Sequence, residues 1–517
     1  MSRETAGGPT GNRALNAMPP GGDGTIVSQR AFLLLTAVLL TARFATLSIL
    51  PLLDPSEARY ALVARDMLEG GDFVTPMIWA NGEHVPFFSK PPLAFWLQAA
   101  SMSALEQVEL AARLPSFLAA VAMLFVIGWL LRRRFGPDLR RSAVLILLSM
   151  PLFFLSAGIG LTDMILCLAV GGALFSHYAF TCEADPARRR RQSLLTFAFL
   201  GMGMLTKGPV ALVQFGLPVL LWTIWNRRGR DFTEQAWWPG LLVFALPWVP
   251  WFLLTERANP GFLAYFFVTE NFLRYLSPDF PDPYGGGHAF PFGTAILFFL
   301  LAALPWLVLL GWRMREPGAR VQVRRAVAAE DLRFFWWAVL ANVAFLSFSR
   351  HILGTYLLPV LPATAVLLAA AFAGLDGSLA RVTRAATALV ALYTVAIVAA
   401  SPVVRDHWSN ERLVARATAF QQERGAGGRL VFVEKRPFSA RFYGTLELDY
   451  VPWNAGNEHY RWYLEPGNGH LLVIPEKFLS RMRPYVTDRL RLVDRFGAFS
   501  LWEPIPPPAG AQSTSEP

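Results

Sequence analysis

The chain has 517 residues, 54% of them hydrophobic and 16% charged, a balance that would demand an implausibly large core of a soluble protein and that serial membrane spans explain directly. Its formal net charge of +10 comes from arginines gathered in short connections between apolar stretches, which is a topology signal and argues against a nucleic-acid surface. The two cysteines, Cys167 and Cys182, fall on one predicted helix about 22 Å of rise apart and cannot bridge each other.

In chain order, a Gly/Pro-rich segment at 1–29 reads as a disordered cytoplasmic tail. A first span follows at about 31–53; it exceeds a signal-peptide core, lacks a small-residue cleavage site, and reads as a retained anchor. Next comes Asp54-Pro55-Ser56-Glu57, which fits a helix start with an acidic cap, proline at the first helical position and a carboxylate reaching back. The helix should stop at Gly70-Gly71 and carry Tyr60, Val63, Met67 and Leu68 as one apolar stripe. Asp54 therefore has two readings, cap or functional acid. Arg59 lies near the positive first turn, where a guanidinium and a helix N-terminus together favour an anion such as phosphate.

Lys90 stands in FFSKPP on a stiff aromatic segment, either as a functional cation or as an interfacial lysine that snorkels. Further apolar stretches near 108–131, 142–160, 162–181, 193–206, 208–225, 237–255, 290–312, 333–348, 354–373 and 385–401 bring the expected spans to roughly eleven. Asp163 and Lys207 occur where one stretch gives way to the next, in LTDMIL and LTKGP, as site charges or ordinary boundary residues. Glu270 and Arg274 in the 256–289 loop are i, i+4 neighbours on a predicted helix, so a local ion pair would also explain them. The turn SFSRHILGTYLLP holds Arg350, His351 and Tyr356, with no second metal-type ligand beside the histidine.

Arginine clusters at 132–141, 188–191, 227–230, 313–325 and 381–384 mark cytoplasmic loops, so the 54–107 and 256–289 loops, the turns at Asp163, Lys207 and Arg350, and everything past about 402 fall on the opposite face. The organisation expected is a transmembrane domain over 30–401 and an extracytoplasmic α/β domain over 402–505, with short strand-like runs at 430–434, 447–452, 470–474, 490–494 and 498–502. A disordered tail follows at 506–517. No phosphate-cradling glycine loop, zinc-spaced cysteine pair or nucleophile elbow is present, which leaves a nucleotide-driven pump and a serine hydrolase unsupported.

DPSEARYALVARDML, GGDFVTP, FFSKPPLAFWL, AARLPS, LTDMIL, LTKGP, ENFLRY and the spaced Ser347, Arg350 and Tyr356-Leu-Leu-Pro, taken in this order, resemble the ArnT-like and protein-mannosyltransferase group of polyprenyl-phosphate-sugar glycosyltransferases over nearly the whole chain. The resemblance implies the GT-C membrane fold, α-helical and polytopic, with a small soluble α/β domain at the C-terminus. It also implies an inverting transfer of a sugar from a polyprenyl-phosphate carrier to a lipid (lipid A-like), glycan or protein acceptor at the outer face of the inner, plasma membrane. On this reading Arg59, Tyr60, Lys90, Lys207, Arg274, Arg350 and Tyr356 bind the carrier phosphate, and Glu57, Asp54 or Asp163 handles the acceptor. In the aminoarabinose-transferase branch, two positions that look like metal ligands are held here by Ser89 and Asn271, so no metal or other cofactor is expected. The acidic pair of that branch is Ser56-Glu57 here, and the lysine before its Tyr-Leu-Pro motif is Arg350. The alternative is a polytopic transporter or lipid flippase, which would tend to show broken spans in two related halves; no such repeat is evident.

Overall fold

A computed structural model describes residues 28–80, 83–276, 290–373, 375, 378–425, 427–434, 437–482 and 484–506. The expected N-terminal tail up to residue 27, the distal part of the 256–289 loop and the C-terminal tail from 507 lie outside these residues. The chain forms two compact units. Among the described residues, the first takes in 28–47, 71–76 and 87–395, and the second 48–70, 77–86 and 396–506.

The first unit is helical. Among the described residues five helices are long and apolar enough to cross a bilayer, six if the bent pair Trp237–Ala245 and Val249–Ala258 is one span. This is fewer than the eleven apolar stretches of the sequence, for physical reasons. Val210–Trp225 has only 16 residues, and Pro186–Lys207 begins with four arginines that dilute its apolar run. The spans differ in exposure: Gly354–Ala373 is 89% buried within the protein, whereas Thr294–Arg313 is 22% buried and presents a lipid-facing surface.

One hairpin in this unit positions the site. Thr162–Cys182 (21 residues) and Pro186–Lys207 (22 residues) are joined by only three residues, so they run antiparallel and the start of the first meets the end of the second. The Asp185 carboxylate accepts from the Arg188 N–H at 3.0 Å and Pro186 takes the first helical position, which fixes where the second helix begins. Gly208, at φ +78°, ends it.

The second unit holds two sheets. A hairpin pairs β1 (Met77–Ala80) with β2 (Glu83–Pro86). The other sheet has five strands, β3 (Leu430–Val433), β4 (Leu448–Val451), β5 (Leu471–Pro475), β6 (Leu490–Phe496) and β7 (Phe499–Pro504), in the order β4-β3-β5-β7-β6. β3 pairs in parallel with β4 and β5, and β7 runs antiparallel between β5 and β6. Alternate residues feed two cores: Leu430 and Phe432 pack with Leu413, Val414 and Ala417 of helix Glu411–Arg424. Val431 and Val433 pack with Tyr460, Leu464 and Val486 on the other face. Both faces of the central strands β3 and β5 are covered, which is why these two are apolar throughout.

The segment after the first helix, read as part of an outer loop of the membrane domain, lies in the second unit as helix Ser56–Gly70. It ends at Gly71, φ +71°, as expected, and buries Tyr60, Val63 and Met67, while Leu68 is exposed. Asp54 does not cap it. Its carboxylate accepts instead from the Ser439 N–H at 3.0 Å, from the Ser439 hydroxyl and from the Asn410 amide at 3.2 Å, residues hundreds of positions away. Burial pushes the Asp54 carboxyl up, against the lowering effect of these hydrogen bonds. The predicted backward reach belongs to Glu57, whose Oε2 accepts from the Leu53 N–H at 3.0 Å.

Candidate active site

The first unit gathers several of the suspected ionisable residues around one cavity of about 110 Å³. Its charged and hydroxyl-bearing walls come from Lys90, Lys207, Glu270, Arg274 and Tyr356, and Leu166, Val210, Phe345, Leu346 and Ile352 supply apolar surface.

Two helix ends build one side. Asp163 sits in the first turn of its helix and Lys207 in the last turn of the next, so each charge complements the partial charge of its own helix terminus. The hairpin brings them to 2.6 Å with side chains 7% and 9% exposed, a buried ion pair rather than two boundary residues. The Lys207 ammonium also lies 3.7 Å from the centre of the Tyr356 ring. Tyr356 stands on the tight helical segment Gly354–Val360, whose entry turn carries Arg350.

Lys90 builds the other side. Its ammonium donates to the Ser89 carbonyl at 2.7 Å, to the Ser89 hydroxyl at 2.8 Å and to Glu270 Oε1 at 3.1 Å, so it is turned inward instead of snorkelling. The same Oε1 accepts from the Ser89 hydroxyl at 2.6 Å and from Arg274 at 2.7 Å. Glu270 thus joins two cations, while its Oε2 is buried without a hydrogen-bond partner among the described residues. Burial alone would raise the Glu270 carboxyl, but the Lys90 ammonium and the Arg274 guanidinium outweigh it and hold this acid below the usual carboxylate range. Burial holds the Lys90 ammonium below the ordinary lysine range. Glu270 and Asn271 are carried by a wide-turn π-helix, Tyr265–Leu273, a geometry concentrated at functional sites. The aromatic residues Phe252, Phe262 and Phe266, with Trp251, pack beneath it.

The donor set does not suit a divalent metal. Among the described residues lining the cavity Glu270 is the one carboxylate, its bonded oxygen already shared by two cations and the Ser89 hydroxyl, and Asp163, outside that lining, is taken by Lys207. The Asn271 amide donates to the Phe266 carbonyl at 2.8 Å. A hard cation would have to displace both positive side chains to reach this carboxylate.

Other suspected residues fall elsewhere. Arg350 does not line the cavity, although its neighbours Ser349 and His351 do. Asp54, Glu57, Arg59 and Tyr60 belong to the second unit, where the Arg59 guanidinium lies 5.5 Å from the Tyr60 ring centre and 5.8 Å from that of Phe438. Ser89 entered the sequence reading only as a departure, yet its hydroxyl links Lys90 to Glu270. Nothing in the local pattern announced that link, because its partner lies 181 residues away.

Residues 89–253 match the family model for dolichyl-phosphate-mannose-protein mannosyltransferase. The chain is 30% identical over 347 residues to the undecaprenyl phosphate-alpha-4-amino-4-deoxy-L-arabinose arabinosyl transferase of Serratia proteamaculans, covering 65% of this chain and 58% of that protein. It is likewise 30% identical over 321 residues to the protein of the same name from Edwardsiella ictaluri, covering 61% and 54%. The match thus spans a little under three fifths of the length of these curated relatives. Among solved structures, ArnT from Cupriavidus metallidurans bound to undecaprenyl phosphate superposes with a TM-score of 0.73 over 91% of this chain and 97% of that one, at 22% identity. Family model, relatives and fold agree with the motifs: in sequence the chain is similar to these sugar transferases, and it has the GT-C membrane fold of ArnT.

Proposed function

We propose that the chain is an inverting glycosyltransferase that takes a sugar from a polyprenyl-phosphate carrier. The observation that carries this reading is the convergence of Lys90, Lys207 and Arg274, with Tyr356, on one cavity that also has an apolar wall. A carrier phosphate is the ligand that needs both. Its charge meets the three cations and its isoprenoid tail lies along apolar helices. As the bond from the anomeric carbon to the phosphate oxygen breaks, negative charge grows on the departing phosphate, and fixed cations in a water-poor site stabilise that charge most when it is greatest. Glu270 and Asp163 hold the cations in place before the reaction begins.

Asp54 is bound to Ser439 and Asn410, Glu57 to the start of its own helix, and Asp163 to Lys207. The first two therefore serve the architecture of the second unit, and Asp163 orients Lys207. The protein works in the inner, plasma membrane with the cavity on the extracytoplasmic side, as the arginine-rich loops imply, and transfers to a lipid A-like lipid, a glycan or a protein.

Purified protein incubated with radiolabelled undecaprenyl-phosphate sugars and membrane lipid should release undecaprenyl phosphate as label moves to the acceptor. Lys90→Ala and Arg274→Ala should each lower turnover roughly a hundredfold or more. Movement of intact labelled lipid across the vesicle bilayer with no bond cleavage would instead make this a transporter.

A further inference from the structure

The Lys90 ammonium has three N–H donors, and among the described residues it makes three bonds: to the Ser89 carbonyl at 2.7 Å, the Ser89 hydroxyl at 2.8 Å and Glu270 Oε1 at 3.1 Å. A lysine so occupied has no proton left for a phosphate, so one of these bonds must open when the carrier arrives. The three are not equivalent. Two go to Ser89, its neighbour on a segment fixed by buried Phe87 on one side and buried Pro91 and Pro92 on the other. The third is the longest, crosses to the π-helix, and alone has a charged acceptor. A phosphate oxygen can replace that carboxylate oxygen in kind, since both are anionic acceptors of a charge-assisted bond. Glu270 Oε1 is not stranded by the exchange, because it keeps the Ser89 hydroxyl at 2.6 Å and Arg274 at 2.7 Å.

We infer that Ser89 is a positioning residue: it holds Lys90 through its carbonyl and hydroxyl while the carrier phosphate takes over the proton that Lys90 now donates to Glu270. The inference rests on the carrier-phosphate site of the transferase reading. The Ser89 hydroxyl works in both directions, accepting from Lys90 and donating to Glu270, so it stands between ammonium and carboxylate and keeps the direct contact between them long. With a methyl group in its place Lys90 has one acceptor fewer, and ammonium and carboxylate close into a tighter pair that the phosphate must break. Glu270 is then the competitor of the phosphate for this proton as well as the anchor of Arg274. The Ser89 carbonyl is backbone, so a side-chain substitution removes the hydroxyl link alone.

The test uses the full-length protein and reads undecaprenyl phosphate binding beside transfer from radiolabelled undecaprenyl-phosphate sugars. Ser89→Ala should lower affinity for undecaprenyl phosphate about ten- to a hundredfold, the size expected for one hydrogen bond to a charged group, with kcat/KM falling in step. Ser89→Thr keeps the hydroxyl and should restore most of that loss. In a Lys90→Met background, adding Ser89→Ala should change affinity by less than about threefold, because a residue that acts through another is not additive with it. Glu270→Gln keeps an acceptor oxygen but loses the competing charge, so its affinity should rise. Unfolding temperatures of every variant separate a loosened fold from a lost link, and the double variant reads the link even where the singles are destabilised. Wild-type affinity in Ser89→Ala, an undiminished serine effect in the Lys90→Met background, a threonine variant as weak as the alanine one, or a fall in affinity in Glu270→Gln would each overturn the proposal. A wild-type protein that binds undecaprenyl phosphate yet transfers from no donor would remove the transferase reading and leave the binding results to decide on Ser89.

Discussion

At the scale of single residues, the buried pair between Asp163 and Lys207 supplies the sharpest separation of stability from turnover. Removing one partner of such a pair leaves an uncompensated charge in an apolar surround, at a cost of about 3–5 kcal/mol. Lys207→Met should therefore lower the unfolding temperature strongly. Adding Asp163→Asn should recover most of that loss, because the stranded charge is gone. Turnover of the double variant should remain roughly a hundredfold or more below wild type, since the cation proposed to meet the phosphate is still absent. Thermal unfolding and turnover measured on the two singles and the double settle the matter, and recovery of turnover in the double would remove Lys207 from the phosphate site. Much of this was legible in the sequence, because charges such as Asp163 and Lys207 in an apolar context are costly and demand a reason. Ser89 was not legible: a neutral hydroxyl looks ordinary until its distant neighbour is known.

At the scale of elements, the helix termini do the positioning. Gly208 has φ +78° and ψ −149°, a region open to glycine alone, and a side chain built on it would come within 2.6 Å of the Phe266 ring. Gly208→Ala should cost about 1–3 kcal/mol from backbone strain and displace either Lys207 or the π-helix that carries Glu270. Its signature is a fall in both unfolding temperature and affinity for undecaprenyl phosphate. A variant with wild-type values of both would show that this turn adapts freely. Strands β3 to β7 coincide closely with the five apolar runs read from the sequence, because β3 and β5 fill a two-sided core and the others place apolar residues against it. The start of helix Ser56–Gly70 was read less well. Asp54-Pro55-Ser56-Glu57 matches a capping pattern, yet tertiary hydrogen bonds from Ser439 and Asn410 claimed the aspartate, and no local pattern reports partners at that separation.

At the scale of the whole molecule, the sidedness proposed from the arginine-rich connections can be tested directly. Single cysteines at the exposed positions Arg190 and Arg320 should be protected in intact cells from a membrane-impermeant thiol reagent, and one at the exposed Glu465 should be labelled. The reverse pattern would put the cavity's face inside. The division into two units was hidden from a linear reading, because residues 48–70 and 77–86 join a unit whose remaining members begin at 396. The contrast between the inner span Gly354–Ala373 and the lipid-facing span Thr294–Arg313 has a consequence for how this chain can drift over evolutionary time. Ala365, Ala369 and Ala370 are fully buried, so even one added methyl group meets a packed neighbour and these positions should hold their size. Leu297, Leu301 and Val308 are exposed on a span, where acyl chains would cover them, so they should interchange freely with other apolar residues while refusing charge. Two stretches of similar hydropathy are therefore expected to diverge at very different rates.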